Sequence, residues 1–478
     1  MNRPANHHAF SSAQWLVICV ASVSTLACST TVESEGAKQN KAAGIPYVAV
    51  AGGADGEIGA YDVAVTDAGE AIIAGTARGT ITLGKNKIVT GGNQAVFVAA
   101  LDSRGEFQWH AVAAGQGTTT GDGIVRAANG SSFVGGTLQG KATFGGHNAD
   151  SGVGKAAFVA HVDSTGAFKW VRTVTGATSD YGFSIGGNAS GATVVVGDFS
   201  STAGSGSQEI TSAGGSDGFV ASWDAKGKLR WLRGIGGSGE DHIYAVDVAP
   251  DGGAVAAGSF SGQAKAMNSV LTSASGSDPM ILRFDTFGRV SWARTFSGQG
   301  DDGAELPRFG PDGSITVVGW LAKGLTIGSA NLVAVDDKGA TFVTRLDAAG
   351  KPLWATAQWT ADYDAIEEMD LAVDSAGHTH IAGYVQGTVK IGAKSRTAYG
   401  SLDAAIIELG TDGNVTSTVL AGSEKEDGAY GIAFDKAGNR YVVGDVSGLA
   451  EFGGTAAHPE GTLGLFVWKT APAAKKSL

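Results

Sequence analysis

The chain has 478 residues, of which 75 are glycine, and it carries a formal net charge of −12. No basic cluster of the kind that a nucleic-acid-binding face requires is present, so we expect no nucleic-acid partner. Both cysteines, Cys19 and Cys28, lie near the N-terminus, which excludes disulfide and thiol chemistry from the rest of the chain. Short runs rich in Val, Ile, Thr and aromatic residues, separated by Gly, Asp, Asn and Ser turns, predict an all-β fold.

Residues 1–28 have the pattern of a secretory signal peptide. A weakly basic start precedes an apolar run from Trp15 to Ala21, which is too short for a stable membrane span. The end of this segment, Thr25-Leu-Ala-Cys28, resembles a bacterial lipobox. That resemblance implies lipidation at Cys28 and a lipid anchor in a bacterial membrane, the outer membrane in a Gram-negative cell. The alternative is cleavage after Ala27 and simple secretion.

Residues 29–43 are polar and without periodicity, which predicts a flexible tether. Beyond them, an Asp-x-x-Gly turn followed by a strand that begins on a tryptophan recurs along the chain. These tryptophans are spaced 61, 61, 61 and 62 residues apart, and they are Trp109, Trp170, Trp231, Trp292 and Trp354. A fixed period of this length is the signature of a repeat architecture.

The period divides the chain into seven units. Their expected boundaries are 52–113, 114–174, 175–235, 236–296, 297–357, 358–420 and 421–470, with a tail over 471–478. Each unit has the pattern of four antiparallel strands, which in unit 4 are Ile243–Ala249, Ala254–Phe260, Met280–Phe284 and Val290–Phe296. Four-stranded units that repeat radially are the blades of a propeller.

The seventh unit has only three predicted strands, and the missing one is expected from the other end of the chain. Residues 44–51 precede unit 1, and Val48 lies 61 residues before Trp109. The sequence therefore predicts a seven-bladed β-propeller over residues 44–470, in which the N-terminal strand closes the last blade. The sixth unit departs from the pattern, with Gly410 and Ser417 where Asp and Trp are expected.

These repeats resemble the bacterial seven-bladed β-propeller repeat known as SBBP. The segments that carry the resemblance are Ala372-Val-Asp-Ser-Ala-Gly377, Val255–Gly262, Phe158-Val-Ala-His-Val-Asp163 and Trp292-Ala-Arg-Thr-Phe296. The resemblance covers residues 45–470 and implies an architecture. It transfers no catalytic residue, because the repeat is defined by its strands and turns.

The repeated residues themselves favour structural roles. We expect each Trp to pack between neighbouring blades, the alternative being a row of exposed aromatic side chains that bind a ligand. We expect the Asp of each Asp-x-x-Gly turn to cap its own turn, with Gly at a position of positive φ.

The loop that leads into each first strand is acidic in all seven units. Carboxylates that meet on one face would attract cations, and an ordered Ca²⁺ site is one form of this hypothesis. The candidates for this acidic rim are Asp180, Asp241, Asp302, Asp362, Asp364 and Asp427. The alternative is that each Asp satisfies backbone N–H groups of its own loop.

Other motif matches are explained by the glycine content or by the repeat. A G-x-G-x-x-G match over 298–303 precedes a strand, whereas a dinucleotide site needs a helix there. His378 and His380 could reach one metal ion from a strand, but their equivalents in unit 7 are Asn439 and Tyr441, which favours ordinary packing. We expect no cofactor apart from the Ca²⁺ of the rim hypothesis.

We therefore predict a non-catalytic binding or scaffold module of the cell envelope, exported and monomeric. Its ligand would be a protein or a glycan, bound on the acidic loop face or at the channel mouth, with Trp320 and Trp359 as candidate contacts. One alternative is a secreted hydrolase or lyase that acts on polysaccharide, which needs convergent carboxylates. Another is a purely structural envelope protein.

Overall fold

The structure, a computed structural model, describes residues 45–178, 183–334, 339–360 and 370–472, with the backbone alone for 358–360. These residues form strands, turns and loops without a helix, so the prediction of an all-β fold is confirmed. Over the same residues the chain therefore has no helix of the length and apolarity that a membrane crossing needs. The signal sequence, the tether and Cys28 lie outside the described residues.

Strands of equivalent role recur in each of the seven units, which keep the numbers 1 to 7. The first strands are the later part of Tyr47–Val65, then Thr118–Arg126, Ser184–Gly187, Asp241–Val248, Gly303–Phe309, Asp370–Val373 and Asp427–Phe434. The second strands are Ala71–Leu83, Ser132–Phe144, Thr193–Phe199, Ala254–Ala266, Ile315–Leu321, Thr379–Ile391 and Arg440–Val446. The third strands are Ala95–Leu101, His147–Val162, Asp217–Trp223, Ser269–Phe284, Ala340–Leu346, Lys394–Leu409 and Gly464–Thr470.

The fourth strands complete the units. They are Phe107–Gly115, Phe168–Ala177, Leu229–Gly237, Val290–Thr295 with Ser297–Gln299, Pro352–Thr360, Val415–Ala421 and, for unit 7, the beginning of Tyr47–Val65. Short hairpin arms between the second and third strands add Asn86–Val89, Thr202–Ser205, Gln208–Thr211, Gly324–Ile327, Ala330–Val333, Ala450–Phe452 and Thr455–Ala457. In the even-numbered units the long second and third strands form the arm themselves.

Within a unit, the strands pair antiparallel in chain order. In unit 4, for example, Val246 pairs with Ala256, and Leu282 pairs with Ala293. Each arm also pairs with the end of the preceding unit's fourth strand, as Gly236 of unit 3 does with Lys265 of unit 4. Neighbouring units are therefore joined through their backbones as well as through their side chains.

The two ends of the repeat region pair with each other. Tyr47 pairs with Lys469 and Ala51 with Leu465, so residues 47–51 form the fourth strand of unit 7. The ammonium group of Lys469, a residue with 1% exposure, donates to the Ser103 carbonyl at 3.1 Å and lies 5.7 Å from the ring centre of Tyr47. The long strand Tyr47–Val65 thus belongs to units 7 and 1 at once.

The hydrophobic core is divided among the joints between units. Seven apolar clusters lie in the described residues, and each combines side chains from two successive units, with unit 7 followed by unit 1. Each first strand likewise contacts the first strand of the next unit, and that of unit 7 contacts that of unit 1.

Hydrogen bonds with a constant sequence separation connect the first strands. In each, a side-chain oxygen accepts from the backbone N–H of the residue 62 positions later. The pairs are Asp62 with Ile124 (2.7 Å), Ser184 with Val246 (3.4 Å), Asp247 with Phe309 (2.8 Å) and Asp370 with Ile432 (3.0 Å). These bonds fix the first strand of one unit against that of the next.

The repeated tryptophans pack between units, as predicted. The Trp231 indole N–H donates to the carbonyl of Thr286 at 3.2 Å, and a Cβ on Gly288 would lie 2.5 Å from the indole ring. Gly288 has φ of 73°, so this position needs glycine both for its backbone and for the ring above it. The same stacking pairs Trp109 with Gly166, Trp170 with Gly227, Trp292 with Gly350 and Trp354 with Gly413.

This contact explains why unit 6 lacks its tryptophan. A Trp at position 417 would cover the turn between the third and fourth strands of unit 7. Unit 7 has no such turn, because its fourth strand comes from the other end of the chain. At the joint between units 7 and 1, Tyr47 takes the role of the tryptophan, and a Cβ on Gly105 would lie 2.6 Å from its ring.

The turn aspartates cap their own turns, which confirms the second structural prediction. Asp163 Oδ1 accepts the N–H groups of Thr165 and Ala167 at 2.9 and 3.0 Å. The Thr165 hydroxyl and the Ala167 N–H hold the pKa of Asp163 at about 2. The same two N–H bonds form at Asp102, Asp224, Asp285 and Asp347.

We expect the substitution Asp163→Ala to lower the free energy of unfolding at pH 7 by about 0.5–1.5 kcal/mol, because two exposed N–H groups exchange a carboxylate acceptor for water. Asp163→Asn, which keeps one oxygen acceptor, should lower the free energy of unfolding by a smaller amount. Equilibrium denaturation with urea measures both values. Equal losses in the two variants would contradict capping by the carboxylate.

Candidate functional site

A β-bulge recurs at one position of the first strand. The register of the pairing with the second strand shifts there in units 1, 2, 4, 5 and 7. The extra residue of a bulge leaves the regular alternation, and its side chain is re-aimed. The bulge residues are Tyr61, Asp122, Tyr244, Glu305 and Tyr430, and all five are half-buried.

A glycine in the second strand makes each bulge possible. A Cβ at this position would overlap a carbonyl oxygen of the bulged first strand, so a larger residue would push the two strands apart. These glycines are Gly75, Gly136, Gly258, Gly319 and Gly444, and each follows a short apolar run in the second strand. The repeat therefore fixes the backbone at the bulge while the bulge residue itself differs between units.

The residue after that glycine forms a second row beside the bulge residues. The second-row residues are Thr76, Thr137, Asp198, Ser259, Trp320, Tyr384 and Asp445. Several pair directly with their neighbours: Tyr430 donates to Asp445 at 3.0 Å, and the Tyr244 and Ser259 hydroxyl oxygens lie 2.8 Å apart. We call the bulge residues and the second-row residues together the bulge site.

Aromatic contacts cross the joints between units at this site. The rings of Tyr61 in unit 1 and Tyr430 in unit 7 have centres 5.6 Å apart. Tyr244 of unit 4 and Trp320 of unit 5 meet edge to face at 5.4 Å. The predicted ligand contact Trp320 therefore lies in the bulge site, half-buried, with its ring above Gly303.

Acidic side chains accompany these rings. Asp198, with 2% exposure, lies 2.9 Å from His242 Nδ1 and accepts the Ile243 N–H at 3.0 Å. Burial alone would lower the pKa of His242, but the hydrogen bond and the charge of Asp198 raise it. Burial raises the pKa of Asp122 to about 6.

A second group of charges lies next to the bulge site on the first strands, and we call it the Arg308 cluster. Arg308 donates to Asp370 at 2.6 Å, and the carboxylates of Asp247 and Asp62 also act on its charge. Burial and the neighbouring Asp370 raise the pKa of Asp62 to about 7. A Cβ on Gly123, the residue after Asp122, would lie 3.4 Å from Asp62 Oδ2, so the two groups are contiguous.

The three described members of the predicted acidic rim lie inside the molecule. Asp241, Asp302 and Asp427 are at most 1% exposed. Asp241 accepts the Gly237 N–H at 2.7 Å and Asp302 accepts the Ala322 N–H at 2.7 Å, while Asp427 accepts from Ser423 Oγ and the Ser447 N–H. These three carboxylates are therefore buried instead of exposed on a rim. The bond of Asp241 to Gly237 lies within its own loop, as in the alternative, whereas the bond of Asp302 to Ala322 reaches a different loop.

Each of these aspartates is close to a second one that lies 24 residues earlier. The pairs are Asp217 with Asp241, Asp278 with Asp302 and Asp403 with Asp427, and all six residues are at most 3% exposed. At Gly422, a Cβ would lie 2.7 Å from Asp403 Oδ1 and 3.1 Å from Asp427 Oδ2. Asp217 Oδ1 and Asp302 Oδ2 have no hydrogen-bond partner.

These pairs do not fit the Ca²⁺ form of the rim hypothesis. Ca²⁺ takes six to eight oxygen ligands, whereas the hydrogen-bonded neighbours of these carboxylates are mainly backbone N–H groups. Among the described residues, no group of three or more His, Cys, Asp or Glu side chains has the geometry to hold a metal ion.

The other predicted residues fall into two groups. Asp180, Asp362, Asp364 and Cys28 lie outside the described residues, and so does the side chain of Trp359, whose backbone pairs with Thr341 and Ile391. His378 and His380 both face Asp374 Oδ2, at 3.1 and 3.4 Å. Their equivalents in unit 7 contact Asp435 in the same way, as ordinary packing requires.

Sequence reasoning missed the bulge residues and the Arg308 cluster. A usable signal was present, because Tyr61, Asp122, Tyr244 and Glu305 are spaced by 61 or 122 residues within otherwise uniform strands. The residue type at this position changes from unit to unit, although the surrounding strand pattern is repeated. At the turn positions, by contrast, the same residue type recurs.

Comparisons with known proteins leave the family open. No family model matches the chain, and no curated protein matches it. Solved structures with some similarity include a protein of unknown function from Bacteroides caccae, at 11% identity over 64% of this chain and 81% of that chain with a TM-score of 0.32. The intramolecular trans-sialidase from Ruminococcus gnavus has 8% identity over 83% and 90%, with a TM-score of 0.34. Puromycin hydrolase has 12% identity over 81% and 58%, with a TM-score of 0.31.

Scores of this size carry no argument about the fold or the function of this chain. The resemblance to the SBBP repeat therefore stays a prediction.

Proposed function

We propose that residues 45–470 form a closed seven-bladed β-propeller of the SBBP type. The division of the apolar clusters among successive units, including units 7 and 1, supports closure. So does the pairing of residues 47–51 with the third strand of unit 7. In this arrangement the first strands surround a central channel, and the bulge site lies at one mouth of it.

We propose further that the propeller is a non-catalytic binding module of the bacterial cell envelope, and that its ligand occupies the bulge site. One observation carries this proposal. The residues that build the bulge are repeated, whereas the bulge residues themselves are tyrosine, aspartate or glutamate. A purely structural position would return the same residue type, as the turn aspartates and the packed tryptophans do.

The envelope location is proposed from the signal sequence and the lipobox-like segment. It predicts that the wild-type protein is found in the membrane fraction and carries a fatty acyl chain at Cys28. Cys28→Ala should release the protein from the membrane fraction, which fractionation and mass spectrometry of the mature N-terminus measure. A wild-type protein that is absent from the membrane fraction, as Cys28→Ala is expected to be, would favour simple secretion.

An array of envelope glycans and peptides tests the binding function. We expect the wild-type chain to bind at least one of these ligands and the double variant Tyr244→Ala/Trp320→Ala to lose that binding by about 2 kcal/mol or more, as for aromatic hot spots. Phe287→Ala removes an exposed aromatic side chain from a turn and is the matched control. Binding that survives in the double variant, or that is absent in the wild type, contradicts the proposed site.

The raised pKa of Asp122 favours one alternative, a hydrolase acting on polysaccharide, because a general acid needs a carboxyl group that is protonated near neutral pH. Product analysis of the array glycans separates the two functions. Cleavage that Asp122→Asn abolishes would establish an enzyme, and binding without cleavage supports the binding module.

A further inference from the structure

We infer that two buried carboxyl pairs, Asp217 with Asp241 and Asp278 with Asp302, each hold one shared proton and act as pH-sensitive latches between neighbouring units. The inference concerns a conformational device of the fold and does not depend on the ligand of the bulge site. Three observations carry it: the segments that each pair joins, a buried oxygen without a donor in each pair, and a glycine that contacts both members of the pair.

Each pair lies where three segments of the chain meet. Asp302 accepts the N–H of Ala322, just after the second strand of unit 5, at 2.7 Å. Asp278 accepts the N–H of Ala274 in the third strand of unit 4 at 2.7 Å and that of Gly298 in the fourth strand at 3.3 Å. The pair between units 3 and 4 binds the equivalent segments through the N–H groups of Ser261, Ala213 and Gly237. Each pair therefore holds the second strand of one unit against the end of the preceding unit.

One oxygen of each pair lacks a hydrogen-bond donor in the described part of the chain. These oxygens are Asp217 Oδ1 and Asp302 Oδ2, in residues that are 3% and 0% exposed. Both lie against a glycine, because a Cβ on Gly236 would overlap the first oxygen and a Cβ on Gly298 would overlap the second. An ionised oxygen without a donor is costly at such a place. A protonated carboxyl group can instead donate to the carboxylate of its pair.

A glycine residue contacts both carboxyl groups of each pair. The Gly237 N–H donates to Asp241 at 2.7 Å, and it also lowers the pKa of Asp217 as a hydrogen-bond donor. The Gly298 N–H donates to Asp278 at 3.3 Å, and the same residue lies against the other carboxyl group of that pair. Two buried carboxyl groups that are this close resist joint ionisation, because like charges repel strongly in surroundings of low polarity. One proton therefore remains with the pair.

The surrounding charges do not compensate a second negative charge. Among the described residues, the other charged groups that act on the first pair are Glu240 and His242, and the one that acts on the second pair is Asp301. His242 alone can be a cation. Burial, and after it the charge of the partner, raise the pKa of Asp241 and of Asp302 to about 6.

The third buried pair, Asp403 with Asp427, shows what replaces the proton. Ser423 lies four residues before the second aspartate, where the other two pairs have glycine, and its hydroxyl donates to Asp427 at 2.7 Å. All four carboxylate oxygens of this pair accept a hydrogen bond. A serine hydroxyl thus provides the donor here, and the inference is restricted to the two pairs with glycine.

Loss of the shared proton opens the joint. An aspartate in an opened or unfolded segment has a pKa of about 3.9. Between about pH 4 and pH 7 a closed latch therefore holds a proton that an opened latch has released. Opening becomes easier as pH rises through the folded pKa of about 6.

Hydrogen exchange of the full chain, followed by mass spectrometry from pH 5 to pH 8 and corrected for the intrinsic rate, tests the latches. We expect the segments around Ser261 and Ala322 to open about tenfold or more often at pH 8 than at pH 5, equivalent to about 1.4 kcal/mol. The equivalent segment of unit 2, around Gln139, is the internal control. Its joint has Ala95 and Thr119 in place of the carboxyl pair, so its opening should not change. Equal pH dependence in all three segments would overturn the inference.

The sharing of one proton is tested by Asp278→Asn, Asp302→Asn and the double variant. The amide of one Asn can donate to the remaining carboxylate, so each single variant should remove the pH dependence around Ala322 and the double variant should add nothing. A pH dependence that persists in both single variants and disappears only in the double variant would show two independent protons and overturn sharing. Asp285→Asn, at an exposed turn, should keep the parent profile, and thermal unfolding confirms that each variant is folded.

Discussion

Removal of residues 1–51 is expected to abolish the cooperative unfolding transition of the protein, whereas removal of residues 1–44 is expected to preserve it. The difference between the two truncations is the strand that pairs with Gly464–Thr470. Without this strand, unit 7 keeps three strands and its outer edge is exposed. We expect the free energy of unfolding to fall by an amount comparable to the whole stability of a domain, about 5–15 kcal/mol.

The size of the effect follows from the contacts of the closing strand. Ala51 and its neighbours pack in the apolar cluster that contains Tyr441, Leu465 and Val467, which are fully buried. Tyr47 also covers the turn at Gly105 of unit 1, and it shields the buried ammonium group of Lys469. The truncation therefore opens the joint between units 7 and 1 and removes one of the two rings, Tyr47 and Tyr441, that lie over the ammonium group of Lys469.

Differential scanning calorimetry of the two truncated proteins measures the effect. A synthetic peptide of residues 45–53 added to the shorter protein should restore the transition, since the strand can pair without a covalent link. The same peptide with Val48→Lys and Val50→Lys is the control, because both valines pack against a buried apolar cluster. Equal melting temperatures for the two truncations would contradict closure by the N-terminal strand.

The sequence alone predicted the all-β fold and the packing of each tryptophan on the next unit, because both depend on residues that return at a nearly fixed period. Trp231 recurs 61 residues on either side, the turn glycine Gly288 recurs 61 residues before and 62 after, and their meeting in space follows from the repeat. Even the exception at Ser417 is consistent with the predicted closure, since the turn that a tryptophan would cover is absent from unit 7.

The site was not predicted, for a physical reason. Whether a carboxylate such as Asp241 faces solvent or its own backbone depends on loop geometry, which sequence spacing does not contain. The acidic loops therefore suggested a rim, while the structure turns the described members inward. The bulge at Tyr244 was invisible for a related reason, because only the pairing register reveals that one extra residue lies opposite Gly258.

The protein is expected to be more stable at pH 5 than at pH 8. The described carboxyl groups with raised pKa values are Asp62, Asp122, Asp217, Asp241, Asp247, Asp278, Asp302 and Asp403. The pKa is about 7 for Asp62 and about 6 for Asp122, Asp241 and Asp302, mainly because burial disfavours the charged form. In the unfolded chain an aspartate has a pKa of about 3.9.

The sign follows from proton binding. Between about pH 4 and pH 7 the folded protein holds protons that the unfolded chain has released, so the free energy of unfolding falls as pH rises. The contribution of these groups is complete below the unfolded pKa of about 4 and is lost as pH rises through the folded values. Turn aspartates such as Asp163, with a pKa of about 2, act in the opposite direction and lose stability as pH falls below about 4. Burial lowers the pKa of His110, His161 and His380, so these three groups oppose the trend below about pH 6.5, but the eight carboxyl groups with raised pKa values outnumber them.

We expect the free energy of unfolding to rise by on the order of several kcal/mol from pH 8 to pH 5, since one pKa unit corresponds to about 1.4 kcal/mol. Calorimetric melting temperatures at pH 5, 6, 7 and 8 measure the trend. A melting temperature that stays constant or falls between pH 8 and pH 5 would contradict the assignment of protonated carboxyl groups.

The variant Asp302→Asn isolates one carboxylate pair. It removes the charge that faces Asp278 and keeps an oxygen that can accept the Ala322 N–H, so the melting temperature should depend less steeply on pH than in the parent. Asp285→Asn alters a turn carboxylate whose pKa is lowered, and it should leave the slope between pH 8 and pH 5 unchanged. A flatter profile in Asp302→Asn alone would show that the buried pair, rather than the total charge of the protein, couples proton binding to stability at this joint.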